Sequence, residues 1–309
     1  MRKQQTLKSR IDFSGTGIHS GHSCDIILKP APEDTGLLFL SKAGQSKEYI
    51  PYNIGNIIDT RNNISISNGR AVIKTVEHLV SALYACKIDN CIIECSSNEI
   101  PILDGSSRLF VEGINSAGIE EQSITREEFM VINPVWTTMS DKYIIALPYN
   151  GFKISYTISF PNSPIGTQTF NTEISPDTFS KDISSARTFG FIEDLENYKK
   201  TGLSRGVTLD NVQAYSKKEN KILNSSRYHD EPVRHKILDL LGSLALLNFD
   251  IKGFIIAYKG GHTIDVAFIQ KMMAIFTAPI PRPLDRFYHG ESGYFFNAGN
   301  TADILKIPS

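Results

Sequence analysis

In the stretch Glu231-Pro232-Val233-Arg234-His235-Lys236-Ile237-Leu238-Asp239-Leu240-Leu241-Gly242-Ser243-Leu244-Ala245-Leu246-Leu247, an acidic residue and a proline open a helix. The first turn has no use for the N–H that proline lacks. Val233, Ile237, Leu240, Leu241, Leu244 and Leu247 then recur at helical spacing and form one apolar stripe. His235 and Asp239 stand four apart, so both project from one face. An imidazole and a carboxylate one turn apart suit a metal ion on a rigid support, but also an ordinary ion pair or a capping pair. Only further ligands elsewhere in the chain can separate these readings.

The bulk numbers bound the search. A chain of 309 residues can bury a sizeable core and predicts two domains. Hydrophobic content of 41% and charged content of 21% are those of an ordinary folded protein. Lys and Arg total 32 against 33 Asp and Glu, so no global basic field argues for nucleic acid. The opening MRKQQTLKSRIDFSG has charges but no apolar core, unlike a signal peptide, and no apolar run reaches the ~20 residues of a membrane helix. A cytoplasmic protein without membrane insertion is expected, one able to work beside a membrane. Cys91 and Cys95 share a strand face with Ile93, which predicts buried free thiols and not a thiolate cluster, since Cys-x-x-Cys pairs are absent.

Working outward, residues 4–13, 22–30 and 37–41 alternate as strands, with the glycine-rich turn Gly15-Thr16-Gly17-Ile18-His19-Ser20-Gly21 between the first two. Residues 74–86 pattern as a helix, 90–95 as a strand and 107–117 as a helix capped by Ser106 or Asp104. The polar stretch Gly118–Glu128 predicts a domain boundary. Strands then follow at 129–136, 142–147, 152–160 and 167–174. Next come helices at 176–184 and 193–200 and a hairpin at 212–223. The opening helix, a strand at 253–258 and a helix at 265–276 complete the pattern. Each half thus runs strands, helix, strand, helix, with His78 on the first helix of one half and His235 on that of the other. The fold class expected is α+β: domains 1–125 and 126–276 as two similar sheet-and-helix layers with a site between them. A Pro- and aromatic-rich tail, 277–309, has no assigned role.

Four more elements carry polar groups. Glu77 and His78 point about 100° apart on one helix, so they can place a base and a ligand on neighbouring faces of one site, or simply form a solvated face. Lys259-Gly260-Gly261-His262 ends a strand, as catalytic loops often do and flexible turns do equally. In Ser185-Ala186-Arg187-Thr188-Phe189-Gly190-Phe191 a hydroxyl lies between a cation and aromatics, suited to a sugar or an oxyanion. The plainer reading of that segment is core aromatics beside a surface arginine. The turn at His19 is equally open. Taken together, His78, His235 and Asp239 make a three-ligand zinc set with a fourth position for water, Glu77 a base and His262 an acid. Zinc brings the pKa of a bound water to about 7, so the reaction class implied is metal-assisted hydrolysis of an amide or ester.

These residues lie in TVEHLVSAL, IDNCIIE, EIPILDGSS, ARTFGF, VRHKILDLLG and AYKGGH, which in this order resemble the UDP-3-O-acyl-N-acetylglucosamine deacetylase family of lipid A synthesis. The opening TLKSRIDFSGTGIHSG and KPAPEDTG are similar to the same family. The resemblance spans about residues 4–275. It implies a cytosolic Zn2+ amidase, with iron possible in vivo, whose β-α-α-β layers enclose the site, acting on a UDP-sugar bearing an acyl chain. By motif, His78, His235 and Asp239 would hold zinc, Glu77 would be the base and His262 the acid or a stabilising cation. Thr188 would donate to the oxyanion. Lys142 and Lys236 would meet the hydroxyl or diphosphate end, Phe189 would stack on the hexose, and Asp194 and His19 would line the polar end. Residues 192–212, with Phe191, Leu203 and Val207, would form the acyl passage. No nucleic acid and no obligate protein partner are implied.

The chain departs from the family at several points. The family usually has a carboxylate where this chain has Ser243, one that supports the catalytic histidine and lysine. It tends to have Asn where this chain has Asp265, and commonly Gly-Gly-Ser where Gly206-Val207-Thr208 follows Arg205. The tail has no counterpart in it. A paralogous zinc amidase acting on another acylated amino sugar is the alternative, and a non-catalytic nucleotide-sugar binder a further one. A binder is expected to have lost Glu77 or a metal ligand, and this chain keeps them.

Overall fold

The computed structural model describes residues 2–44 and 46–277. In chain order the first half contains β1 (Lys3–Leu7), β2 (Ile11–Thr16), β3 (Ser23–Pro30), β4 (Leu37–Ser41), β5 (Glu48–Pro51), β6 (Ile57–Asp59), β7 (Ser65–Ser67), β8 (Val72–Ile73), α1 (Glu77–Ala85), β9 (Cys91–Cys95), α2 (Arg108–Ala117) and β10 (Ile119–Thr125). The second half contains β11 (Glu128–Met130), β12 (Val135–Met139), β13 (Lys142–Leu147), β14 (Phe152–Phe160), β15 (Gly166–Glu173), α3 (Pro176–Asp182), β16 (Phe189–Phe191), α4 (Ile192–Lys200), β17 (Gln213–Ser216), β18 (Lys221–Ile222), α5 (Glu231–Leu244), β19 (Asp250–Tyr258) and α6 (His262–Thr277).

The echo between the halves is topological. One sheet runs β2-β3-β9-β4-β5 and the other β12-β13-β19-β14-β15. In each, one inner pair is parallel (β4 with β9, β14 with β19) and the neighbours are antiparallel. Strand alternation buries one face: β14 and β19 bury every second side chain along most of their length. The opposite face of β3 is exposed at Ser23 and Asp25. Helices α1 and α5 pack between the layers. Every residue of α1 is buried, as are all of α5 except Lys236, which is the condition of a helix in the middle of a sandwich. Residues 1–276 form one compact unit.

Several expectations need correction. The polar run Gly118–Glu128 holds an unexpected strand: Ile119–Thr125 is β10, paired antiparallel with β1. Its side chains are almost all exposed, so ladder hydrogen bonds hold it where composition gave no sign of a strand. The strand expected at 129–136 is two, β11 and β12, with Pro134 between them, a residue without an N–H for a ladder. At the start of helix α2 the Ser106 hydroxyl accepts the Arg108 N–H at 3.2 Å, so one of the two expected residues serves its first turn. Its N-cap is Ser107 without a side-chain bond, while Asp104 Oδ1 accepts from the Ser106 N–H and hydroxyl in the turn before it. Helix α6 begins at His262, three residues earlier than expected, and β19 also begins three residues early. All four cysteines are free and buried. Among the described residues, no helix is long and apolar enough to cross a membrane. The tail beyond Thr277 lies outside the described residues.

Candidate active site

Two helices of the sandwich bring the first-named residues together. His78 lies in the first turn of α1 and His235 and Asp239 one turn apart on α5. The helices touch where a glycine allows it: a methyl group on Gly242 would sit 2.6 Å from the Glu77 carbonyl oxygen. The two imidazole rings meet edge to face with centroids 4.9 Å apart. His235 Nε2 stands 3.4 Å and His78 Nε2 3.9 Å from the same oxygen, Asp239 Oδ1. One ligand atom from each of the three residues lies within 4.8 Å of the others.

The electrostatics of this trio suit a cation. His235 Nδ1 donates to the Ala186 carbonyl at 3.0 Å, which leaves the Nε2 lone pair facing Asp239. Burial holds the imidazole of His78 down at about 3 and lowers that of His235, so both are neutral at physiological pH. Burial pushes the Asp239 carboxyl up, but Lys236 and the three neighbouring histidines outweigh it and hold it well below the carboxylate range. Lys236 Nζ donates to Asp239 Oδ2 at 2.7 Å, leaving Oδ1 for the histidine side. Two neutral imidazoles and one carboxylate are the donor set of a catalytic zinc site, where tetrahedral bonds of ~2.0–2.1 Å put ligand atoms about 3.3 Å apart.

Around the trio is a cleft of about 300 Å³. Glu77 lines it; its carboxylate is buried, accepts the Ile64 N–H at 3.0 Å, and is pushed up to about 8 by burial and then by the Asp239 charge. His262, first residue of α6, lines it too, its imidazole held down at about 4 by burial, with Asp239 opposing. The loop before it turns at Lys259, whose φ is +51°. Thr188, Phe189, Lys142 and Lys236 complete the expected lining, and Thr60, Arg61, Asn62, Met139 and Thr263 join them unforeseen. The hydroxyls of Thr60 and Thr263 lie 3.0 Å apart, tying the loop after β6 to the start of α6.

Other expected residues lie elsewhere. Phe191 and Asp194 line a second cavity, about 470 Å³, that shares Phe189 with the cleft. There Asp194 pairs with Lys217 at 3.0 Å, and Lys217 covers the Phe191 ring at 4.1 Å. His19 lines neither cavity. Its N–H and that of Ser20 both donate to Glu99 at 2.8 Å, and its Nδ1 accepts from the Ser204 N–H at 3.4 Å. Leu203 and Val207 sit on the same loop as Ser204, away from both cavities, with Gly206 N–H bonded to the Ile18 carbonyl. The arginine read as a surface residue is buried: Arg187 Nε donates to Glu231 Oε1 at 2.9 Å, and both are nearly inaccessible. That pair anchors the start of α5 to the segment carrying Thr188 and Phe189.

Sequence reasoning does not point to Gly242 or the 60–62 loop. The Asp-Thr-Arg-Asn run at 59–62 is the one that left a signal, a polar break between short apolar pieces. Comparison with known proteins adds an independent finding. The profile described as LpxC, UDP-3-O-acyl N-acetylglycosamine deacetylase, matches residues 4–274. Proteins named UDP-3-O-acyl-N-acetylglucosamine deacetylase are similar over nearly the same span. That of Chlamydia muridarum is 40% identical over 273 residues, 88% of this chain and 95% of its own length. That of Leptospira biflexa is 38% identical, covering 88% and 90%. That of Bdellovibrio bacteriovorus is 36% identical over 269 residues, 87% and 89%.

Proposed function

This chain belongs to the UDP-3-O-acyl-N-acetylglucosamine deacetylase family, and from that premise we propose that it is a cytoplasmic metal-dependent hydrolase that removes acetate from UDP-3-O-acyl-N-acetylglucosamine. The observation that carries the reading is the convergence of His78, His235 and Asp239 on one point of a cleft that also holds Glu77 and His262. Zinc, or iron in its place, held by those three residues would supply a Lewis acid and ease the deprotonation of water. The cleft lies between two halves, 1–125 and 126–276, which we take as the two domains.

The remaining chemistry falls to this chain's own side chains. Glu77 takes a proton from the attacking water. In the metal-free site its carboxyl is pushed up to about 8, and a dication nearby favours the ionised form that a base needs. Once protonated, its burial makes it hold the proton and not release it to solvent. Thr188 donates its hydroxyl to the oxyanion, and Lys236, kept charged by Asp239 and Asp265 against the pull of burial, adds positive charge beside it. His262, in the imidazolium form, gives its Nε2 proton to the departing nitrogen and returns to the neutral form. Its imidazole is held down at about 4, so it enters as a neutral group unless the anionic substrate raises it, as an anion within about 4–6 Å does.

Lys142 on the rim meets the diphosphate end and Phe189 packs against the hexose. The second cavity, with Phe191 and Asp194, extends the binding surface past Phe189. Leu203 and Val207 mark the segment assigned to the acyl chain, and His19, assigned to the polar end, borders it through its bond to the Ser204 N–H. Nothing favours the paralogous amidase or the non-catalytic binder: Glu77 and the three ligands are all in place, and the relatives bear the deacetylase name. Zinc-loaded protein incubated with UDP-3-O-acyl-N-acetylglucosamine and followed by NMR is expected to release acetate and free amine in equal amounts. Loaded protein that releases neither overturns the assignment.

A further inference from the structure

Behind the cleft, buried polar atoms of four side chains have no partner: Tyr156 Oη, both carboxylate oxygens of Asp265, Ser243 Oγ and His262 Nδ1. Tyr156, Asp265 and Ser243 are wholly inaccessible. They come from three elements, β14, α5 and the first turn of α6. A methyl group on Gly260 would sit 2.3 Å from the Tyr156 hydroxyl and 3.4 Å from Asp265 Oδ1, so the turn leading into His262 rests on both. Ser243 is one turn past Asp239 on the same face of α5. The Asp265 charge also reaches Lys236. A buried carboxylate without a donor is costly, as is a buried ring N–H without an acceptor. Asp265 stands three residues after His262 on the same turn of α6, where an ordered water can satisfy both groups together.

We propose that Asp265, backed by the Tyr156 hydroxyl, is a positioning residue for His262: through a bound water its carboxylate accepts from His262 Nδ1–H, which fixes the ring tautomer and turns Nε2 to the cleft. A histidine whose inner nitrogen is so held presents a defined outer nitrogen, and loss of such a supporting partner typically costs about 10–100-fold in activity. The cost in turnover rests on the hydrolase reading above; the tautomer does not.

The test is ¹⁵N-histidine NMR on the zinc-loaded protein, paired with steady-state acetate release. His262 of the unaltered protein is expected as the Nδ1–H tautomer. Asp265→Asn offers only a neutral acceptor, roughly half as strong, and is expected to mix the tautomers and lower kcat about tenfold or more while KM moves little. Ser243→Asp placed in the Asp265→Asn protein supplies a buried carboxylate from α5 and is expected to restore both readings in part. An Nε2–H tautomer in the unaltered protein overturns the proposal, and so does a fall in kcat for Asp265→Asn with the tautomer unmoved. The first of these readings needs no variant to fold. Absence of acetate release from the unaltered protein counts against the deacetylase reading and leaves the tautomer to decide the role of Asp265.

Discussion

Replacing Gly242 with alanine tests how the site depends on the approach of α1 to α5. The added methyl would lie 2.6 Å from the Glu77 carbonyl oxygen and 3.1 Å from its Cα, both backbone atoms. Reaching an ordinary contact of 3.4 Å requires a shift of about 0.8 Å, which no side-chain rotation can supply. The Tyr52 hydroxyl, bonded to the Gly242 carbonyl at 2.8 Å, also holds that stretch of α5 in place. The shift therefore falls on α1, which carries His78, while His235 and Asp239 ride on α5. Metal sites tolerate only about ±0.2 Å in ligand distances. Gly242→Ala is thus expected to destabilise the fold by about 1–3 kcal/mol and to weaken metal binding by about tenfold or more. Urea unfolding of the metal-free protein reads the first effect and zinc competition with a chromogenic chelator the second. Gly44→Ala, where an added methyl meets nothing within 4 Å, is the control. Unfolding and zinc affinity of Gly242→Ala matching those of the control would refute the reasoning.

Three further outcomes are expected. Glu77→Gln should keep its metal and lose about 10²–10⁴-fold in kcat, whereas His78→Ala and Asp239→Ala should lose metal; metal analysis beside turnover checks both. In the metal-free protein the Glu77 carboxyl is raised from 4.5 to about 8, so the folded state holds an extra proton between those values. That contribution to stability is full below about 4.5 and is lost as pH rises through about 8, at about 1.4 kcal/mol per unit as an upper bound. His78, lowered from 6.5 to about 3, adds the opposite slope below 6.5, so the comparison is between proteins: Glu77→Gln should gain on the unaltered protein between pH 5 and pH 8, and parallel unfolding midpoints would contradict this. Arg187→Ala should destabilise by about 3–5 kcal/mol, because it strands the inaccessible Glu231 carboxylate; a loss under about 1 kcal/mol by urea unfolding would show the pair to be dispensable.

Much of this was legible in the sequence because the informative residues sit on regular elements. The α5 stripe and the i, i+4 spacing of His235 and Asp239 follow from 3.6 residues per turn, and the strands at 142–147 and 152–160 stand where alternation puts them. What could not be read depends on contacts between distant segments. Strand β10 has a solvated composition and exists through pairing with β1. The burial of Arg187 follows from Glu231, 44 residues away, which no local pattern reveals. Gly242 reads as a weak point in a helix until α1 is seen against it. The orphaned atoms of Tyr156 and Asp265 come from strand and helix 109 positions apart along the chain.

The central claim is that one metal, held by two histidines and an aspartate, makes this cleft a deacetylase. Titrating zinc into chelator-stripped protein while following acetate release from UDP-3-O-acyl-N-acetylglucosamine tests it most directly. Activity is expected to rise in proportion to added zinc and to break at one equivalent, with no rise for Asp239→Ala. Full activity in the stripped protein, or a stoichiometric uptake of zinc that brings no acetate release, would contradict it.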